Sequence, residues 1–263
     1  MSAAAETLLA AHAVSRRFGG LRAVDEVSLT LERGRLHAVI GTNGAGKSTL
    51  INVLAGEIPV SGGRVELLGH DVTRWSQPRR ARAGLGRSYQ RSTLFMPFTV
   101  LENCRLAAQA KLQRAWDWVT PAARCRASMR AAEAAVERVG LTGVAHRIVA
   151  TLSHGERRQL EIAVCLATSP QVLLLDEPLA GMGPDESERM LALIEQLKPG
   201  HAILLVEHDM DAVFRVADRI TVMVNGRVLA SDAPVAVRAN ADVQRAYLGD
   251  GLRATDAPAD SPR

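Results

Sequence analysis

Residues 41 to 49 read Gly41-Thr42-Asn43-Gly44-Ala45-Gly46-Lys47-Ser48-Thr49, three glycines followed by a lysine and two hydroxyls. An apolar run at residues 36–40 precedes them, and residues 47–55 follow with helical spacing. A strand, a glycine-rich turn and a helix in that order make a cradle for phosphate. The glycines let backbone N–H groups converge on one anion, and the helix N-terminus adds a favourable dipole. Lys47 supplies a point charge for β- and γ-phosphates, and the Ser48 hydroxyl suits Mg²⁺. A turn that merely caps a helix is the plainer alternative, and the full GxxxxGK[ST] pattern in this context argues against it.

A second constellation is Asp176-Glu177, two carboxylates at the end of the apolar run 172–175. Parallel α/β sheets gather ligands at the carboxyl ends of their strands, so these acids are expected beside the phosphate loop. Asp176 would hold Mg²⁺ through its water shell. Glu177 would orient or deprotonate an attacking water, an assistance worth roughly 10²–10⁴ in rate. Taken together, the two constellations imply a hydrolytic site for phosphates bound with Mg²⁺. His208 follows the apolar run 203–206, where it could meet a γ-phosphate. Gln90 and Phe18 carry no chemistry by spacing alone.

The elements needed to hold these residues are legible in outline. Continuous apolar runs at 36–40, 172–175 and 203–206 read as strands buried on both faces, hence a parallel sheet covered by helices. Residues 24–31 and 63–68 alternate in polarity, which suits an antiparallel N-terminal sheet. Residues 100–110 and 127–139 are Ala-rich with helical spacing, so residues 92–155 read as a helical insertion in an α/β core. The expected fold class is therefore α/β: a P-loop NTPase core with a parallel sheet, an antiparallel β subdomain and an inserted α-helical subdomain. Residues 251–263 have little to bury and read as a disordered tail.

The 263 residues, 47% hydrophobic, suffice for a sizeable core, and no apolar run nears the ~18 residues of a membrane span. The N-terminus has no basic segment followed by an apolar one, so no signal peptide is read. Cys104, Cys125 and Cys165 lack metal-ligand spacing and suit reduced thiols. The net charge of +4 owes much to Arg74, Arg79, Arg80, Arg82, Arg87 and Arg91, read as a solvated basic face and not as a nucleic-acid site.

With Leu152-Ser153-His154-Gly155-Glu156 lying between the phosphate loop and the Asp-Glu pair, the chain resembles the ATP-binding-cassette nucleotide-binding domains over about residues 8–250. Alone, Ser153 and Gly155 read only as a helix cap and its turn. The resemblance implies that they contact the ATP of a second protomer, in a head-to-tail dimer with a copy or a paralogous ATPase. It further implies that Phe18 stacks on adenine, that Gln90 touches Mg²⁺ and that His208 acts as a γ-phosphate switch. The segment Pro178-Leu179-Ala180-Gly181-Met182-Gly183-Pro184 departs from the family pattern, with Gly183 where aspartate is usual. Together with Arg17-Phe18-Gly19-Gly20-Leu21, Gly86-Arg87-Ser88-Tyr89-Gln90 and Ala246-Tyr247-Leu248-Gly249, it looks like the branched-chain amino acid and amide importer ATPases, and the insertion with Trp116 and Trp118 like the larger of their two. Such a subunit would sit at the inner face of the membrane on permease subunits, with a periplasmic or extracellular substrate-binding protein in the complex. Urea import, lipid export and a non-transport cassette are the alternative readings.

Overall fold

The computed structural model describes residues 6–89, 93–112 and 125–248. Gln90, Arg91, Trp116 and Trp118 lie outside them.

The chain opens on two long antiparallel strands, β1 (Thr7–Phe18) and β2 (Leu21–Glu32). Gly19 and Gly20 turn between them, and Gly19 takes a φ of 57°. β4 (Gly62–Leu67) and β5 (His70–Asp71) extend this sheet in the order β2-β1-β4-β5. The second sheet is built on β3 (Leu36–Gly41), whose six residues are all buried, and has β6 (Leu85–Arg87), β7 (Val172–Asp176), β8 (Ala202–Val206), β9 (Arg219–Val224) and β10 (Arg227–Asp232). Its order is β10-β9-β3-β8-β7-β6, parallel from β9 to β6, with β10 antiparallel at the edge.

Period-two alternation sends neighbouring side chains of one strand into different cores. Val172 and Leu174 of β7 pack with the antiparallel sheet and α1 (Lys47–Ala55), whereas Leu173 and Leu175 face the opposite side. That second core is closed by α3 (Val100–Leu112), α4 (Arg126–Arg138), α5 (His154–Ala167), α6 (Pro184–Leu197) and α7 (Met210–Val216). α2 (Gln77–Arg82) precedes β6, and α8 (Pro234–Ala239) follows β10. The helices α3, α4 and α5 all fall between β6 and β7. None of the described helices is long and apolar enough to cross a membrane.

The register brings the chemistry to one edge. Gly41 pairs with Met223, Val39 with Val206, and Val206 with Asp176. The segments leaving β3, β7 and β8 therefore emerge side by side.

One sequence expectation is corrected. Arg74, Arg79 and Arg82 are exposed, but Arg80 is only 1% exposed and the Arg87 side chain 8%. The Arg80 guanidinium donates to the carbonyls of Val53 and Leu54, at 2.9 and 2.7 Å, and reaches those of Thr73 and Trp75. The last carbonyls of a helix lack intrahelical partners and carry its negative dipole end, so an arginine is drawn in beneath α1. Burial pushes the Arg80 guanidinium down to about 10, against the weaker opposing pull of the Asp71 carboxylate.

Candidate active site

The loop between β3 and α1 is shaped by close backbone approaches. Gly46 has a φ of 100°, and a Cβ built there would lie 2.2 Å from the carbonyl oxygen of Ala23. The turn Asn225-Gly226 closes on the loop from the other side: Gly226 N–H donates to the Ala45 carbonyl at 3.0 Å, and Asp25 N–H to the Gly226 carbonyl at 2.8 Å. The Asp25 carboxylate, gripped by Arg227 and Arg22, is held below the usual range, most of all by the Arg227 hydrogen bond.

Lys47 is 7% exposed, and its Nζ donates to the carbonyls of Gly41 at 2.7 Å and Thr42 at 3.1 Å. Burial lowers its pKa, against the opposing pull of Glu177 and Asp176. The ammonium is thus held over the loop, next to the first N–H groups of α1, which have no intrahelical acceptor. Ser48 is exposed on the same turn and Thr49 half-buried.

Asp176 ends β7 at 5% exposure, its N–H donating to Ser88 Oγ at 3.2 Å. Burial raises its pKa, while Arg87, whose Nη2 lies 3.8 Å from the carboxylate, pulls it down. Glu177 leaves the strand at once: its φ is 49°, in the left-handed region, and its N–H donates to the Val206 carbonyl at 2.8 Å. A non-glycine residue there is strained by roughly 1–2 kcal/mol. The turn swings the two adjacent carboxylates apart, Asp176 inward and Glu177 onto the cleft.

That cleft, about 670 Å³, is lined by Phe18 and Leu21, by Arg22 and Ala23, by residues 43–49, and by Glu177, Asn225 and Gly226. The sequence reading supplied Phe18, the loop and Glu177. It missed the walls supplied by the hairpin and by the Asn225-Gly226 turn, whose residue types carry no phosphate chemistry of their own. Arg16 packs its guanidinium 4.6 Å from the Phe18 ring centre, which leaves that ring 45% exposed as a flat apolar surface.

Residues 24–180 match the family described as ABC transporter, and residues 227–252 the one described as branched-chain amino acid ATP-binding cassette transporter. The chain belongs to the ATP-binding cassette family. The cassette is 41% identical over 253 residues to the high-affinity branched-chain amino acid transport ATP-binding protein LivG of Salmonella typhimurium, covering 93% of this chain and 99% of the relative. It is 40% identical to BraF of Pseudomonas aeruginosa, a protein of the same description, over 92% and 98% of the two chains. A nucleotide-free ATP-binding cassette from an ABC transporter superposes with a TM-score of 0.82 at 27% identity, covering 92% of this chain and 99% of that one. The ADP conformation of an ATP-binding cassette, MJ1267, matches with a TM-score of 0.82 at 28% identity. The cassette binds ATP, and its activity is that of an ABC ATPase.

Ser153 and Gly155 of the cassette lie apart from this cleft, lining a depression of about 280 Å³ with Glu156, Gln159, Met182, Glu186, Arg189 and Met190. Ser153 caps α5 in a capping box: Glu156 N–H donates to Ser153 Oγ at 3.2 Å, and Ser153 N–H to Glu156 Oε2 at 2.7 Å. The plainer reading of Ser153 as a cap is met within the chain. Gly155 faces the Glu186 side chain of α6: an added Cβ would lie 2.6 Å from Oε1, a contact that side chain could relieve by swinging aside. His208 is exposed just beyond β8 and is not among the residues lining the cleft; its Nδ1 lies 3.6 Å from Glu207 Oε2.

Proposed function

We propose that this cassette is the ATP-hydrolysing subunit of a membrane importer for branched-chain amino acids or related amides, completed by a second cassette. The observation that carries the proposal is the separation of two half-sites. One cleft gathers Phe18, residues 43–49 and Glu177, while Ser153 and Gly155 open onto a different depression of the same chain. Two copies, or this chain and a paralogous ATPase, set head to tail would bring the second surface of one over the first of the other. The cargo assignment rests on the relatives LivG and BraF.

In this reading Phe18 stacks on adenine, and the loop from Gly41 to Thr49 holds the phosphates. Lys47 neutralises the β- and γ-oxygens, and His208 reaches the γ-phosphate as the two half-sites close. Among the described residues no group of three or more His, Cys, Asp or Glu side chains could hold a metal. The oxygen donors Ser48 and Asp176, with Gln90, fit Mg²⁺, which takes few protein ligands and keeps waters and phosphate oxygens. Bound there, the ion would neutralise charge developing on the phosphates. Glu177, turned onto the cleft, orients the attacking water and accepts its proton.

Residues 8–250 form the ATP-binding domain, with 92–155 as its helical insertion. Phe95 and Phe98, stacked at 5.6 Å and 56% and 41% exposed, support a docking face for permease helices at the start of that insertion. Docked in this way, the subunit sits on the inner face of the membrane. An extracellular or periplasmic binding protein would deliver the cargo, and no nucleic acid is involved. The test is uptake of labelled leucine, and of a short amide, by the reconstituted transporter complex. Wild type should import in an ATP-dependent way, and Glu177→Gln should bind ATP, hydrolyse it only at a severely slowed residual rate and import almost nothing. Import of neither cargo would overturn the assignment, and undiminished hydrolysis by Glu177→Gln would remove Glu177 as the base.

A further inference from the structure

Glu207, between β8 and His208, is completely buried, at 0% exposure. Among the described residues no lysine or arginine forms an ion pair with it; the His208 ring lies alongside, its Nδ1 3.6 Å from Oε2. An isolated buried carboxylate is costly unless its oxygens are bonded. Both are bonded, and to backbone on two different segments. Oε1 accepts from Leu179 N–H at 2.8 Å, and Oε2 from His208 N–H at 3.1 Å.

Leu179 lies two residues beyond Glu177, in a tight segment where Ala180 N–H donates to the Glu177 carbonyl at 3.2 Å. On its far side the segment is held by His154, whose Nε2 donates to the Ala180 carbonyl at 3.1 Å. Glu177 sits in a left-handed conformation that the free chain disfavours, so something must hold it there. Its own N–H is fixed to β8, and the next anchored N–H is that of Leu179, fixed to Glu207.

We propose that Glu207 is a positioning residue for ATP hydrolysis, its two carboxylate oxygens clamping the turn that aims Glu177 to the backbone of His208. The proposal rests on the reading of Glu177 as the base. A carboxylate is required because only it offers an acceptor to each N–H; a glutamine of the same shape turns its NH₂ toward one of them. Misplacing a reacting group by a fraction of an ångström slows chemistry while leaving ground-state binding nearly intact.

The experiment is steady-state hydrolysis and nucleotide binding by Glu207→Gln, Glu177→Gln and the double variant, each in the intact transporter complex. Glu207→Gln should lower kcat roughly 10- to 100-fold with nucleotide affinity within about twofold of wild type. In the double variant it should slow the residual hydrolysis no further than Glu177→Gln alone does, because the clamp acts through that side chain. Unchanged kcat, an equal loss of affinity and kcat, or a full additive effect in the double variant would each overturn the clamp. Wild-type kcat in Glu177→Gln would instead sink the reading of Glu177. If Glu207→Gln does not fold, Glu207→Asp, which keeps both acceptors on a shorter arm, takes its place with the same expectations.

Discussion

Arg80 Nη1 lies 2.7 Å from the carbonyl oxygen of Leu54, in the last turn of the helix that begins at Lys47. The helix proposed to meet phosphate at one end is thus stoppered at the other by a buried cation. Both ends of the α1 dipole are met by opposite charge once ATP is bound.

Replacing Arg80 by Met keeps most of the volume and removes every donor. The carbonyls of Val53 and Leu54 are then buried without this partner, at a cost of roughly 2–4 kcal/mol. The melting temperature without nucleotide should fall by about 5–15 °C. Arg80→Lys, reaching fewer carbonyls, should fall between the two.

Gly46 and Gly44 both have positive φ but differ in surroundings. An added Cβ at Gly46 meets the Ala23 carbonyl at 2.2 Å, whereas at Gly44 nothing lies within 4 Å. Gly44→Ala should therefore cost about 1 kcal/mol of stability and keep nucleotide binding. Gly46→Ala should lose binding, because the loop or β2 must move; nucleotide titrations of the two variants check the contrast.

Phe18→Ala should weaken ATP binding by about 5- to 10-fold, the loss of roughly 1 kcal/mol of ring stacking. Turnover at saturating ATP should stay unchanged, and Phe18→Tyr should lie within about twofold of wild type. Measured KM and kcat separate these outcomes.

His37, buried on β3, donates from Nδ1 to the Thr30 carbonyl at 3.0 Å and accepts at Nε2 from Thr221 Oγ1 at 2.7 Å. Burial pushes the ring down to about 4. Below its ordinary value of about 6.5 the unfolded chain takes up a proton that the folded chain refuses, so stability falls as the pH drops toward 4. The loss at pH 5 should be roughly 2 kcal/mol relative to neutrality. His201, lowered by burial as well, acts in the same direction. Urea unfolding of His37→Asn should show a shallower fall over that interval.

What the sequence revealed and what it hid have one physical origin. The loop from Gly41 to Thr49, the Asp176-Glu177 pair and the strands 172–176 and 202–206 rest on local rules of spacing and polarity, so they could be read in line. Arg80 could not, since its partners are main-chain carbonyls 26 and 27 residues away, and a carbonyl has no residue type. The Ala23 and Gly226 walls of the cleft were hidden for the same reason, and so was Glu207, which resembles any polar residue after a strand. β1 was obscured because Leu8, Leu9, Ala10 and Ala11 are all buried, without the alternation that marks a half-wet strand.

The left-handed turn at Glu177 sets two selective pressures against each other. Glycine would adopt φ of 49° without strain, so Glu177→Gly relieves roughly 1 kcal/mol while discarding the carboxylate. A library of this chain screened only for survival of heating would be drawn toward glycine at that position. With Glu177 as the proposed base, the protein selected in this way would be sturdier, would still bind ATP and would have lost most of its turnover.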